Sequence, residues 1–205
     1  YLAEHPEPVE REQMLLLVPG SRQSELRDNL PEMLAATAAY SQLGWRVVIA
    51  GAPGLTAADY ATHLGKYSDT PILFGDTYGL MRRAHAALVT SGTATLEAGL
   101  WGIPMVVCYR MGGRRIARLA FERLFRVPYF SLVNLILDRP AVPELLADRA
   151  HSVQILSILS RLIPEEDHRR TDQLQAFAKL QELMGTEPSA PRAARAILSY
   201  LHEAR

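Results

Sequence analysis

Apolar residues along this chain fall into short unbroken runs separated by stretches of helical spacing. Met14-Leu15-Leu16-Leu17-Val18 is the first run, and Pro19-Gly20-Ser21-Arg22 closes it. A run that short, bounded by turn residues, predicts a strand buried on both faces. Apolar positions then recur at Leu26, Leu30, Met33, Leu34 and Leu43, with Gly44 as the stop. Pro31 predicts a break into a short first turn and a longer helix, because proline fits best at a first helical position. The alternation repeats, with strands predicted at 45–50, 71–74, 86–90 and 104–109 and helices near 56–66, 77–84 and 94–101. Beyond residue 150 the spacing is helical, over 151–163, 166–184 and 192–203, with Gly185 and Pro188 to Pro191 as the breaks.

Strands alternating with helices imply βαβ units, right-handed crossovers and a parallel sheet. The expected fold class is α/β: a Rossmann-like, doubly wound parallel sheet with a helical C-terminal tail. Residues 1–12 are polar, carry two prolines and read as a leader or linker. Residues 13–165 form the expected sheet domain. Residues 166–205 are expected to pack on another domain or on a partner chain. Tyr1 stands where an initiator methionine would, so the chain is expected to be part of a longer protein.

Composition narrows the function classes. Lys+Arg and Asp+Glu both number 22 in 205 residues, and this balance argues against a general nucleic-acid binder. With 48% hydrophobic residues the chain is globular. Its single cysteine, Cys108, permits no intrachain disulfide, suits a reducing compartment, and falls in an apolar run that predicts an inert core thiol. No apolar run approaches the ~18 residues of a membrane-spanning helix. The GxGxxG, GxxxxGK[ST] and GxSxG patterns are missing, and the six histidines show no ligand pairing, so no metal site is expected.

In an open parallel sheet, ligands bind beyond the carboxyl ends of the strands, so the loops there are the candidates. In Gly20-Ser21-Arg22, glycine permits close approach, serine offers a hydroxyl and arginine is a bidentate phosphate partner. An ordinary β-to-α turn with a surface arginine is the alternative. Ser91-Gly92-Thr93 opens a predicted helix and exposes N–H groups suited to an anion, and Glu97, further along, can accept from two sugar hydroxyls. Simple capping by Ser91 or Thr93 with a solvated Glu97 is the alternative. Tyr109-Arg110 leaves the strand of Cys108, and Asn134 lies in Ser131-Leu132-Val133-Asn134-Leu135, where it suits a nucleobase or serves as a turn former. Residues 109–126 carry six arginines against Glu122, a local charge of +5. A basic amphipathic helix there, with Arg114, Arg115 and Arg118 on its polar face, suits an anionic membrane or a core-packed helix with a solvated face.

Four motifs occur together: Pro19-Gly20-Ser21-Arg22-x-x-Glu25, Ser91-Gly92-Thr93-Ala94-Thr95-Leu96-Glu97, Cys108-Tyr109-Arg110 and Ser131 to Leu135. In this order and spacing the chain resembles the C-terminal half of lipid-A-disaccharide synthase, over residues 13–150 and on into the helical tail. The resemblance implies the two-domain GT-B glycosyltransferase fold and transfer of 2,3-diacylglucosamine from its UDP conjugate to 2,3-diacylglucosamine 1-phosphate (lipid X). It implies that this half binds UDP. Gly20, Ser21, Arg22, Ser91, Gly92 and Thr93 would hold the diphosphate. Glu97 would take the ribose, and Tyr109, Arg110 and Asn134 would line the nucleotide pocket. No cofactor or metal is implied. The implied partners are the two lipid substrates, the anionic inner face of the inner membrane, the absent N-terminal domain with its general base, and a second copy through the C-terminal helices. The alternatives are another UDP-GlcNAc-type GT-B enzyme, an epimerase or peptidoglycan glycosyltransferase, and a non-catalytic nucleotide-sugar-binding module. The 205 residues alone are expected to bind UDP weakly without turnover.

Overall fold

A computed structural model describes residues 10–110, 128–185 and 189–203. Strands β1 (Glu12–Val18), β2 (Arg46–Gly51), β3 (Ile72–Phe74), β4 (Ala84–Thr90), β5 (Met105–Tyr109) and β6 (Glu144–Leu146) form one parallel sheet in the order β3-β2-β1-β4-β5-β6. The chain builds outward from β1 to β3, then returns to β4 and builds the other way. The sheet direction therefore switches between β1 and β4, where crossovers depart to opposite sides and leave a crevice.

Side chains alternate across each strand, and the core follows that alternation. Met14 and Leu16 pack on one face, with helices α3 (Thr77–Arg83), α4 (Thr93–Leu100), α5 (Leu132–Leu137) and α7 (His168–Met184). Leu15 and Leu17 pack on the other, with α1 (Gln23–Gln42), α2 (Ala57–Leu64) and α6 (Ser152–Leu159). The result is the expected three-layer α/β architecture, and every residue of β4, at the centre, is buried.

Three expectations need correction. Helix α1 runs unbroken through Pro31. Pro31 is exposed, so water can serve the carbonyl that its missing N–H leaves free, while buried Leu26, Leu30, Met33 and Leu34 hold the helix on both sides of it. Asn134, read from sequence as a nucleobase contact or a turn former, lies on the short helix α5. The helix expected to pack elsewhere, α7, belongs to this domain. Ala176, Phe177 and Leu180 are buried in its core, and Gln173 pairs with both the N–H and the carbonyl of Met105 at 2.9 and 3.1 Å. Only α8 (Ser189–Glu203) keeps the character of a tail, with Ile197, Leu198, Tyr200 and Leu201 all exposed.

Two arginines, the half-buried Arg11 and the buried Arg170, tie the layers together. Arg11 donates to the carbonyls of Met81, Ala84, Trp101 and Gly102, and Arg170 to those of His85 and Leu162. Burial, and for Arg11 the nearby Arg170, pull both guanidinium pKa values down, that of Arg11 to about 10. The carbonyl ligands compensate part of that desolvation.

Candidate functional site

A cleft of about 700 Å³ opens at the switch point. Gly20, Ser21 and Arg22 after β1 form one wall, and Ser91, Gly92 and Thr93 after β4 form the other. Glu97 on α4, the Gly75–Tyr78 turn after β3 and Ala52 and Pro53 after β2 also line it, together with Val18, Glu25, Ala50, Thr90 and Ala94. The structure thus brings together seven of the residues singled out from sequence: Gly20, Ser21, Arg22, Ser91, Gly92, Thr93 and Glu97.

The two helix starts facing this cleft differ. At α1, the Glu25 carboxylate turns back and accepts from the backbone N–H groups of Ser21 (2.8 Å) and Arg22 (3.2 Å) and from Arg22 Nη1 (2.8 Å). The positive end of this helix is satisfied internally. Gly20 is required there on two counts: its φ is +116°, and a Cβ would clash with the Cβ and carboxylate of Glu25. At α4, Gly92 holds the N-cap at φ +154°, and among the described residues no side chain caps it. Thr95 Oγ1 donates to the Gly92 carbonyl instead, and Ser91 Oγ to the Phe130 carbonyl, at 2.7 and 2.8 Å. The α4 N-terminus therefore presents uncompensated N–H dipoles to the cleft, opposite Arg22.

Glu97 has a neighbour that the sequence motifs did not suggest. The Tyr78 hydroxyl hydrogen-bonds its carboxylate, and the Tyr78 ring tilts against Trp101 at 6.4 Å. Burial and the charge of Glu97 push the Tyr78 phenol up. Tyr78 and Asp76 carry no motif of their own, because their loop follows a three-residue strand of ordinary composition. Their position past a parallel strand end was the available signal.

Other candidates lie elsewhere. Asn134 is buried, with Nδ2 donating to the Val142 carbonyl and Glu144 Oε1 and Oδ1 accepting from the Val142 N–H, all at 2.8–2.9 Å. Glu144 also accepts from the N–H groups of Phe130 and Ser131 and from Ser131 Oγ. Both side chains are engaged in holding α5 to β6, beside a separate cleft of about 780 Å³ along the sheet edge. Arg110 pairs with Glu32 at 2.5 Å and donates to the Ala150 carbonyl, while Asn29 accepts from its N–H. Glu32 in turn accepts from the Ser152 N–H, so Arg110 belongs to a clasp joining α1, β5 and α6. Neither Tyr109, Arg110 nor Asn134 lines the switch-point cleft. Arg114, Arg115 and Arg118 lie outside the described residues. Cys108 is fully buried, and burial pushes its thiol far up, away from nucleophilic character. Among the described residues no helix is long and apolar enough to cross a membrane.

The fold and cleft define a doubly wound α/β domain whose accessible site lies at the switch point of its sheet. The family model for lipid-A-disaccharide synthetase matches residues 6–197. A lipid-A-disaccharide synthase of Bradyrhizobium diazoefficiens is 34% identical over 199 residues, covering 94% of this chain and 50% of that protein. The Myxococcus xanthus enzyme of that name is 35% identical over 195 residues, covering 93% and 50%. That of Chromobacterium violaceum is 34% identical over 188 residues, covering 89% and 48%. A crystal structure of S. aureus TarM matches at a TM-score of 0.48 and 10% identity, covering 83% of this chain and 35% of that one. The chain belongs to the lipid-A-disaccharide synthetase family and spans about half the length of the curated relatives it matches.

Proposed function

We propose that the switch-point cleft binds the UDP moiety of a UDP-sugar, and that this chain is the donor-binding half of a lipid-A-disaccharide synthase. The observation that carries the proposal is the open start of α4, facing Arg22 across one cleft with Glu97 along the same helix. The diphosphate lies against the α4 N–H groups and the Arg22 guanidinium, where helix dipole and cation both favour negative charge. Glu97 accepts from the ribose hydroxyls, and the Gly75–Tyr78 end is left for the base.

In the complete enzyme the reaction is transfer of 2,3-diacylglucosamine from UDP to lipid X. A base from the other half removes the acceptor proton. The sugar–phosphate bond breaks as the new glycosidic bond forms, and UDP departs with the negative charge that α4 and Arg22 stabilise. This chain therefore contributes leaving-group stabilisation and supplies no general base. The basic segment with Arg114, Arg115 and Arg118 holds the enzyme at the anionic inner face of the membrane, where its acylated substrates reside. The exposed apolar face of α8 packs against the N-terminal half or a second copy.

Calorimetric titration with UDP and with uridine tests the cleft. UDP should bind more tightly than uridine, and Arg22→Ala should weaken UDP about tenfold while sparing uridine. Equal affinities for the two ligands would remove the diphosphate from this cleft. For the reaction, the full-length protein should form disaccharide from donor and lipid X without added metal.

A further inference from the structure

We infer that Glu25 is a positioning residue, which holds Arg22 ready for the diphosphate and closes the α1 helix start so that the anion is received at α4. The inference rests on the reading of the cleft as a UDP site.

The geometry separates the two ends of the Arg22–Glu25 pair. Glu25 is anchored: its side chain is 13% exposed, it accepts from two backbone N–H groups, and it packs against Gly20. Arg22 is free on its far side: its side chain is 76% exposed, and among the described residues its only side-chain partner is Glu25, through Nη1. One nitrogen of the guanidinium is thus held, and its other N–H groups have no side-chain partner among the described residues, beside the cleft that both residues line. An exposed i,i+3 pair of this kind adds little to fold stability. Its effect on binding is larger, because a long flexible side chain held in place before the ligand arrives loses less freedom on binding.

Glu25 is also a negative charge near an anion site, and the opposing effect must be weighed. Its charge is met by Arg22 and by two N–H dipoles at 2.8–3.2 Å, so little of it reaches the ligand. Pre-orientation therefore outweighs repulsion. The two helix starts then divide the work. The start of α1 is filled by its own carboxylate, and the start of α4, with no capping side chain, is left for phosphate.

The test is a double-mutant cycle on the purified protein, read by calorimetry with UDP and uridine. Glu25→Gln keeps the size of the side chain but loses the charge and one of the two acceptor oxygens, so it cannot accept both from Arg22 Nη1 and from the Ser21 and Arg22 N–H groups. Glu25→Asp keeps the charge and is one methylene too short to span the turn. Each should weaken UDP about three- to tenfold and leave uridine unchanged. The loss caused by Arg22→Ala should shrink when Glu25 is already replaced. Unchanged or tighter UDP binding by Glu25→Gln would show that repulsion dominates and overturn the inference. So would additive losses, or equal losses for UDP and uridine, which make Glu25 a prop of the whole cleft. Absence of UDP binding by the unaltered protein would instead overturn the reading of the cleft itself, and the inference with it.

Discussion

Ser91 Oγ donates to the carbonyl of Phe130 at 2.8 Å, across 39 residues of chain. The serine of the Ser91-Gly92-Thr93 turn therefore fastens the segment before α5 to the end of β4. Its hydroxyl proton is not free for phosphate. Ser91→Ala should lower stability by about 1 kcal/mol, the ordinary value of one such bond. UDP affinity should change by less than about twofold, because the backbone N–H groups of α4 remain. Urea denaturation beside calorimetric titration separates the two effects.

Asn134 carries more. Replacing it with alanine leaves the N–H and carbonyl of Val142 unpaired and takes one donor from Glu144, all in a buried setting. A loss of about 2–4 kcal/mol in unfolding free energy is expected. UDP affinity of the fraction that stays folded should be close to that of the unaltered protein. A large loss of affinity in fully folded Asn134→Ala would return this residue to the ligand site.

Thr90 makes the opposite prediction. Its Oγ1 is buried without a hydrogen-bond partner among the described residues, at the end of β4. Thr90→Val replaces an unpaired hydroxyl with a methyl of the same shape. The urea midpoint should rise, by up to about 1 kcal/mol of stability. Thr90→Ser keeps the hydroxyl, removes a methyl and should not give that gain.

His85 sets a pH dependence. Its imidazole is buried against Trp45, and Nε2 lies 2.7 Å from the Ile163 carbonyl, a geometry that fits the Nε2–H tautomer. Burial holds its pKa below the usual histidine value, with Arg170 and Arg11 acting in the same sense. The unfolded chain therefore takes up this proton first as pH falls. The neutral-His contribution is complete above about pH 6.5 and is lost as pH falls from there through the folded pKa. Denaturant midpoints measured from about pH 7 down to about pH 5 should decline, and His85→Gln should flatten part of that slope.

Phe177 tests the assignment of α7 to this domain. It is 1% exposed and packs in the core with Leu180 and Val133. Phe177→Ala should cost about 3–5 kcal/mol, as for any large core aromatic. A loss below about 1 kcal/mol would mean that α7 is docked only loosely.

The local pattern of the chain was enough to determine the α/β class, five of the six strands and the loops carrying Gly20–Arg22 and Ser91–Glu97. Strand runs such as Met14–Val18 and helix starts are written in neighbouring residues, so short-range periodicity and turn chemistry report them. Strand β6, which opens on Glu144 rather than in an unbroken apolar run like that of β3, and the six-residue helix α5 show no clear local pattern, and packing against β5, α4 and α7 fixes them. The same limit applies to individual roles. Asn134, Arg110 and Arg22 are all polar residues in loop-like sequence, and what distinguishes them is their partners. Asn134 meets Val142 and Glu144, Arg110 meets Glu32 from 78 residues away, and Arg22 meets, among the described residues, only its neighbour Glu25. Sequence determined where charge and hydroxyls occur along the chain. Tertiary structure decided which of them are satisfied inside the fold and which face the cleft, because that depends on contacts between segments distant in the chain.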